Sequence, residues 1–161
     1  MKPAKKTNAA RLLDSLQISY DVKTYEVDED DLSAEHVAET TGVPLEQTFK
    51  TLVVRGDKTG VFVACIPGGK ELDLKAIAQI SGNKKVDLVP LKEVLALTGY
   101  IRGGCSPLAM KKSYTTFIDA SALNFPVIMV SAGQRGIQLV IAPRDLGKAA
   151  AATFATICHF S

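Results

Sequence analysis

The stretch "TFKTLVVRG", Thr48 to Gly56, and the "GVFVACIP" that follows it, Gly60 to Pro67, decide the fold. Both runs are rich in β-branched and aromatic residues, and the turn between them contains Asp57 and Gly60, which is the spacing of a hairpin. Alternation along the first strand puts Phe49, Thr51 and Val53 on one face and Lys50, Leu52 and Val54 on the other. Lys50 therefore shares its face with two aliphatic side chains. An ammonium among such neighbours is costly unless it is paired or reaches water, so its presence calls for a physical reason.

Outward from the hairpin, helices and strands alternate irregularly. Thr7 caps a first helix that carries Leu12, Leu13 and Leu16 on one face, and "SYDVKTYEV" reads as a strand. "SAEHVAETTG" is a short helix with Ser33 as its cap and Gly42 as its left-handed stop. After the hairpin, "LDLKAIAQISG" is a helix capped by Asp73 and ended by Gly82, "KKVDLV" is a strand, and "PLKEVLALTG" is a helix with Pro90 in its first turn. "TTFIDA", "VIMVSAG" and "GIQLVIAP" are strands, and "PRDLGKAAAATFATI" is expected to form one last helix. Strands adjacent in sequence, mixed with helices, predict an α+β fold with a mixed, largely antiparallel sheet rather than a doubly wound parallel one.

Bulk properties set bounds. A chain of 161 residues without a linker or repeat is expected to be one domain, 1–161, and folding removes roughly 70% of the surface of a chain this long. A composition 47% hydrophobic and 22% charged excludes intrinsic disorder. The basic start "MKPAKKTNAARLLDSLQ" leads into an amphipathic helix rather than an apolar signal core, and no run is long enough to cross a bilayer, so a cytoplasmic protein is expected. Cys65, Cys105 and Cys158, with His36 and His159, show no metal-like spacing, so no metal is expected. A net charge of +2 is too small to announce nucleic-acid binding. Lys2, Lys5, Lys6, Lys84, Lys85, Lys111 and Lys112 are either local basic patches or solvated charges that aid solubility.

Two glycine-rich segments interrupt the strand pattern: "GYIRGGCSPLAMKK", Gly99 to Lys112, and "VSAGQRGIQL", Val130 to Leu139. Their glycines are either tight turns in a curved sheet or places where backbone N–H groups of Gly103, Gly104 and Gly133 approach an oxygen that becomes negative. Neither segment has the spacing of a phosphate loop or a dinucleotide fingerprint.

In order along the chain, "KTYEV", "FKTLVV", "KELDLKAIAQISGNKKV", "TGYIRGGCSPLAMKK", "TFIDASAL" and "VSAGQRGIQLVIAPRDL" resemble the successive motifs of the YbaK/EbsC family of aminoacyl-tRNA deacylases. The resemblance covers nearly the whole chain. It implies a single α+β domain around a curved, mixed sheet flanked by helices, like the editing domain of bacterial prolyl-tRNA synthetase. It also implies that Lys50 is the essential lysine, at the mouth of a pocket for the aminoacyl-adenosine end of tRNA. Tyr25 then lines that pocket, Gly103 and Gly104 face the substrate, and Ser106 with Pro107 continues the loop. Ser131 orients the aminoacyl group while Gly133 and Arg135 shape the second loop. By residue type alone, Lys50 is equally a snorkelling lysine, Tyr25 a half-buried strand aromatic and Arg135 a surface charge or a contact to tRNA phosphate.

The implied activity is trans-editing of mischarged Cys-tRNA(Pro), with Cys-tRNA(Cys) as a further substrate, by hydrolase- or lyase-like cleavage that requires no cofactor. The implied partners are tRNA(Pro) and prolyl-tRNA synthetase. No histidine is placed to activate Cys105 and no Ser/His/Asp set is evident, so Cys105 is expected to pack. The resemblance implies that the thiol of the substrate is the nucleophile. Two alternatives stand beside this: a deacylase of another mischarged tRNA such as Ala-tRNA(Pro), and a non-catalytic module that binds tRNA or a synthetase.

Overall fold

Each short helix is closed by its own chemistry. In α1 (Asn8–Ser15) the Thr7 hydroxyl accepts from the Ala10 N–H, in α2 (Ala34–Thr41) Ser33 accepts from His36, and in α3 (Leu74–Ser81) Asp73 accepts from Ala76. Gly42, Gly82 and Gly99 end α2, α3 and α4 (Leu91–Thr98) in the left-handed region. α5 (Pro143–Ala150) is the fifth. The computed structural model describes residues 6–160, so Lys2 and Lys5 lie outside the described residues.

The strands are β1 (Asp21–Thr24), β2 (Phe49–Gly56), β3 (Gly60–Pro67), β4 (Lys70–Leu72), β5 (Val86–Leu88), β6 (Thr116–Asp119), β7 (Ile128–Gln134), β8 (Ile137–Ile141), β9 (Thr153–Ala155) and β10 (Cys158–Phe160). They form a five-stranded sheet in the order β5-β2-β3-β6-β9, a three-stranded sheet β1-β8-β7, and a two-stranded ribbon β10-β4. Five of the seven pairings are antiparallel, and the exceptions are β3 with β6 and β6 with β9. The expected hairpin forms, and its register sets Phe49 opposite Pro67 and Gly56 opposite Gly60. A mixed, largely antiparallel α+β fold results, with its strands divided among separate sheets.

Alternation sorts the core. Phe49, Val63, Cys65 and Ile118 of the large sheet pack with Ile128, Val130, Leu139 and Ile141 of the small one, and α1 and α5 close that core through Leu13 and Leu146. On the opposite face Val54, Phe62, Ala64 and Ile66 pack under Ile77 and Ala78 of α3. The Val, Leu, Ile and Phe side chains among these contribute about 1.5–3 kcal/mol each when fully buried.

The C-terminal segment differs from expectation. The helix stops at Ala150, and Ala151 turns the chain at φ 51° so that β9 and β10 return to the sheets. Phe154 lies over Gly147 where a Cβ would come within 2.6 Å of its ring, so tertiary packing overrides the helix propensity of the alanine run. β4 is also additional to the sequence reading, and β1 is shorter than the expected strand.

Candidate active site

The first half of β2 lies between two attachments. β5 pairs with it only from Val54 to Gly56, and the Val89 N–H donates to the Val53 carbonyl at 2.9 Å. At the other end Thr48 forms an isolated parallel bridge with Met129 of β7. A cavity of about 410 Å³ opens at the stretch between them. Its walls are Lys50 to Val53, the start of α2, Leu91 and Val94 of α4, Arg102, Gly103 and Cys105, and Ser131 with Gln138.

Register explains why Lys50 is here. Partners in the parallel bridge between Thr48 and Met129 carry their side chains on one face, so two residues further on Lys50 and Ser131 share it. Gln138 is the cross-strand partner of Ser131 and continues the row. The Lys50 ammonium donates to the Gly68 carbonyl at 3.1 Å, which leaves two of its protons for other acceptors. Gly68 is itself a close-contact position, since a Cβ there would come within 2.3 Å of Ala34 Cβ, and this seats α2 against the end of the hairpin.

The two glycine segments dock on each other. A Cβ on Gly133 would meet the Tyr100 ring at 2.8 Å, and one on Gly104 would meet the Arg135 nitrogen at 3.2 Å. The Arg135 Nε–H donates to the Arg102 carbonyl at 2.8 Å, and the Tyr100 hydroxyl donates to the Leu108 carbonyl at 2.6 Å. The Gly104 N–H already donates to Ile101, and the Gly133 N–H to the Ser131 hydroxyl at 3.1 Å. Gly103, at φ 82°, borders the cavity. Gly104, Gly133, Arg135 and the fully buried Ser106 stand behind its wall, and Ser106 accepts from the Leu108 N–H at 3.3 Å. Tyr25 is half-buried outside the wall, with its N–H donating to the Gly136 carbonyl.

Cys105 borders the cavity, and burial pushes its thiol up to about 11 against a weaker opposing hydrogen bond with Thr98. At neutral pH only about one such thiol in 10⁴ is a thiolate, so it is a poor nucleophile. Cys65, fully buried behind Thr51, is pushed up to about 12. Among the described residues no group of three or more His, Cys, Asp or Glu is placed to hold a metal ion, and no helix is long and apolar enough to cross a membrane.

Residues 28–149 match the family model described as the aminoacyl-tRNA editing domain. This chain belongs to that family. The editing domain is 49% identical over 145 residues to the Enterococcus faecalis (strain ATCC 700802 / V583) protein named "Putative Cys-tRNA(Pro)/Cys-tRNA(Cys) deacylase EbsC", which covers 90% of this chain and 88% of the relative. An 80-residue segment, half of the chain, is 29% identical to 14% of the proline--tRNA ligase of Thermosipho africanus (strain TCF52B). In fold, the editing domain superposes on the solved structure titled "Crystal structure of a putative trans-editing enzyme for prolyl tRNA synthetase" with a TM-score of 0.81. That pair is 22% identical, and the superposition covers 96% of this chain and 99% of the other.

Sequence reading missed several walls of the editing domain's cavity: Gln138, Thr51, the start of α2 and the apolar side of α4. Gln138 carried a signal. It is a polar residue in the aliphatic strand "GIQLVIAP", the same anomaly that singled out Lys50.

Proposed function

We propose that this editing domain is a deacylase that removes cysteine from tRNA(Pro), with Cys-tRNA(Cys) as a further substrate. The observation that carries the reading is one cavity bordered by Lys50, Gly103 and Ser131, in which the one cysteine on the wall is held as a neutral thiol. The similarity to the relative named as a Cys-tRNA deacylase supports the choice of substrate.

The chemistry then uses the substrate. The sulfur of the esterified cysteine attacks its own carbonyl carbon, a C–S bond forms, and the ester C–O bond to the ribose breaks. The thiol proton ends on the departing ribose oxygen, leaving a four-membered thiolactone that water opens later. Lys50 turns from the Gly68 carbonyl to oppose negative charge that builds on the carbonyl and leaving oxygens. The Ser131 hydroxyl, which accepts from the Gly133 N–H, keeps its own proton to orient the ester. Tyr25, Gly104, Ser106, Gly133 and Arg135 hold the loops around this site rather than touch the ester. The wall positions the thiol against the carbonyl, which is where such a reaction gains most.

With a net charge of only +2, the domain is expected to hold tRNA weakly and to act beside prolyl-tRNA synthetase. Single-turnover deacylation of tRNAs carrying Cys, Ala, Pro or Ser tests the reading. Release from Cys-tRNA(Pro) with trapping of the thiolactone is the expected result. Preference for Ala-tRNA(Pro) would reassign the substrate, and no release from any of them would leave a binding module.

A further inference from the structure

Gln138 is the anomaly that the proposed chemistry leaves unused. It sits in β8 between Leu139 and Ile137, its face is that of Ser131, and it borders the cavity while only 4% exposed. Its carboxamide makes no hydrogen bond to any described residue, whereas Lys50, Thr48 and Ser131 at the same cavity are each engaged. The fully buried side-chain atoms without a partner among the described residues are those of His36 and Ser121, so the Gln138 amide, unbonded within the protein, opens onto the cavity. A carboxamide held open there on a strand otherwise aliphatic is a group available to a ligand.

We infer that Gln138 is a specificity-determining contact that accepts a hydrogen bond from the α-amino group of the aminoacyl ester. The inference rests on the reading of the cavity as an aminoacyl-ester site, and it adds which end of the ester faces which wall. An aminoacyl ester offers oxygens at its carbonyl and ribose and one strong donor, its amine. The oxygens are served by Lys50 on β2. The amine is repelled by that ammonium and so points away from it, toward the far wall. Gln138 stands there, beyond Ser131, two strand spacings or roughly 10 Å from Lys50 along the row. Its Oε1 is an uncharged acceptor, which suits an α-amine whose protonation changes near pH 8. Glu35, the acidic side chain bordering the cavity, is exposed at the start of α2. Lys23, the partner of Gln138 in β1, is exposed and lies outside the cavity wall.

Two non-hydrolysable probes test this by titration calorimetry: 3′-cysteinylamido-3′-deoxyadenosine and its counterpart lacking the α-amino group. The wild type is expected to prefer the amine-bearing probe by roughly tenfold to hundredfold, the range for one hydrogen bond to a charged group. Gln138→Leu is expected to bind both alike, Gln138→Glu to keep or widen the preference, and Glu35→Gln to leave it as in the wild type. A wild type that does not distinguish the probes overturns the inference. So does a Gln138→Leu protein that keeps the preference while its circular dichroism and melting temperature match the wild type. Deacylation of Cys-tRNA(Pro), assayed separately, decides the underlying reading: activity together with an unchanged probe ratio sinks the Gln138 contact alone, and failure to bind either probe sinks both.

Discussion

Lys50 and Cys105 border the same cavity and carry opposite expectations. In the proposed mechanism Lys50 opposes developing charge, so Lys50→Ala is expected to slow single-turnover deacylation on the order of 10²-fold or more. Cys105→Ala is expected to keep most of the activity, because a thiol pushed up to about 11 supplies neither charge nor nucleophile at neutral pH. The same protonation state is measurable directly. Alkylation of Cys105 by iodoacetamide, followed by site-resolved mass spectrometry, is expected to rise about tenfold per pH unit between pH 7 and 10, since only the thiolate reacts. Fast alkylation at pH 7, or an inactive Cys105→Ala with a cysteinyl-protein adduct in the wild type, would return the nucleophile to the protein. Lys50 was legible in the sequence because an ammonium among aliphatic neighbours violates strand patterning. The positions of Tyr25 and Ser106 outside the cavity were not legible, because residue type does not say which side of a loop a side chain takes.

Helix ends show where local rules hold and where they yield. The ends of α2 and α3 were readable from Ser33, Asp73, Gly42 and Gly82, whose caps depend only on neighbours within a turn. The end of α5 was not, because the run from Ala149 to Ala152 has no local reason to stop. It stops since Ala151 takes a left-handed conformation while the Ala152 N–H donates back to the Gly147 carbonyl at 2.8 Å. An alanine in that region is strained by roughly 1 kcal/mol that glycine avoids. Ala151→Gly is therefore expected to stabilise by about 0.5–1 kcal/mol, while Gly147→Ala, which drives a Cβ toward the Phe154 ring, costs about 1–3 kcal/mol. Urea midpoints at unchanged m-value measure both. Shifts of the same sign in the two variants would refute this account of the turn.

Across the whole molecule, Asp119 ties the end of β6 to the chain entering β10. Its carboxylate accepts from the buried Ile157 N–H at 3.0 Å and the Ser121 N–H at 3.1 Å. Burial alone would raise its pKa, but these hydrogen bonds to the charged form outweigh it and hold the carboxyl below the ordinary aspartate value. A pKa depressed on folding adds stability above the unfolded value, about 3.9, and that share is lost as pH falls through the lower folded one. Urea unfolding from pH 7 down to pH 2 is expected to show this acid loss in the wild type and a smaller one in Asp119→Asn, whose amide oxygen still accepts but does not titrate. Equal acid slopes in the two proteins would remove the assignment. No reading of the sequence paired Asp119 with Ile157, because 38 residues separate them and nothing local links the two. By itself the sequence determined the hairpin, the helix caps, the α+β class and the conspicuous lysine, since each follows from patterning and chemistry over a few residues. The tertiary structure alone decided that β2 is left unpaired on one edge between β5 and the Thr48 bridge to Met129. It also decided that Lys50 of β2 stands in one row beside that opening with Ser131 and Gln138 of the β7–β8 pair, which lies far along the chain from it. Such a row exists only when separate strands dock side by side, and their docking is set by the packing of two cores at once.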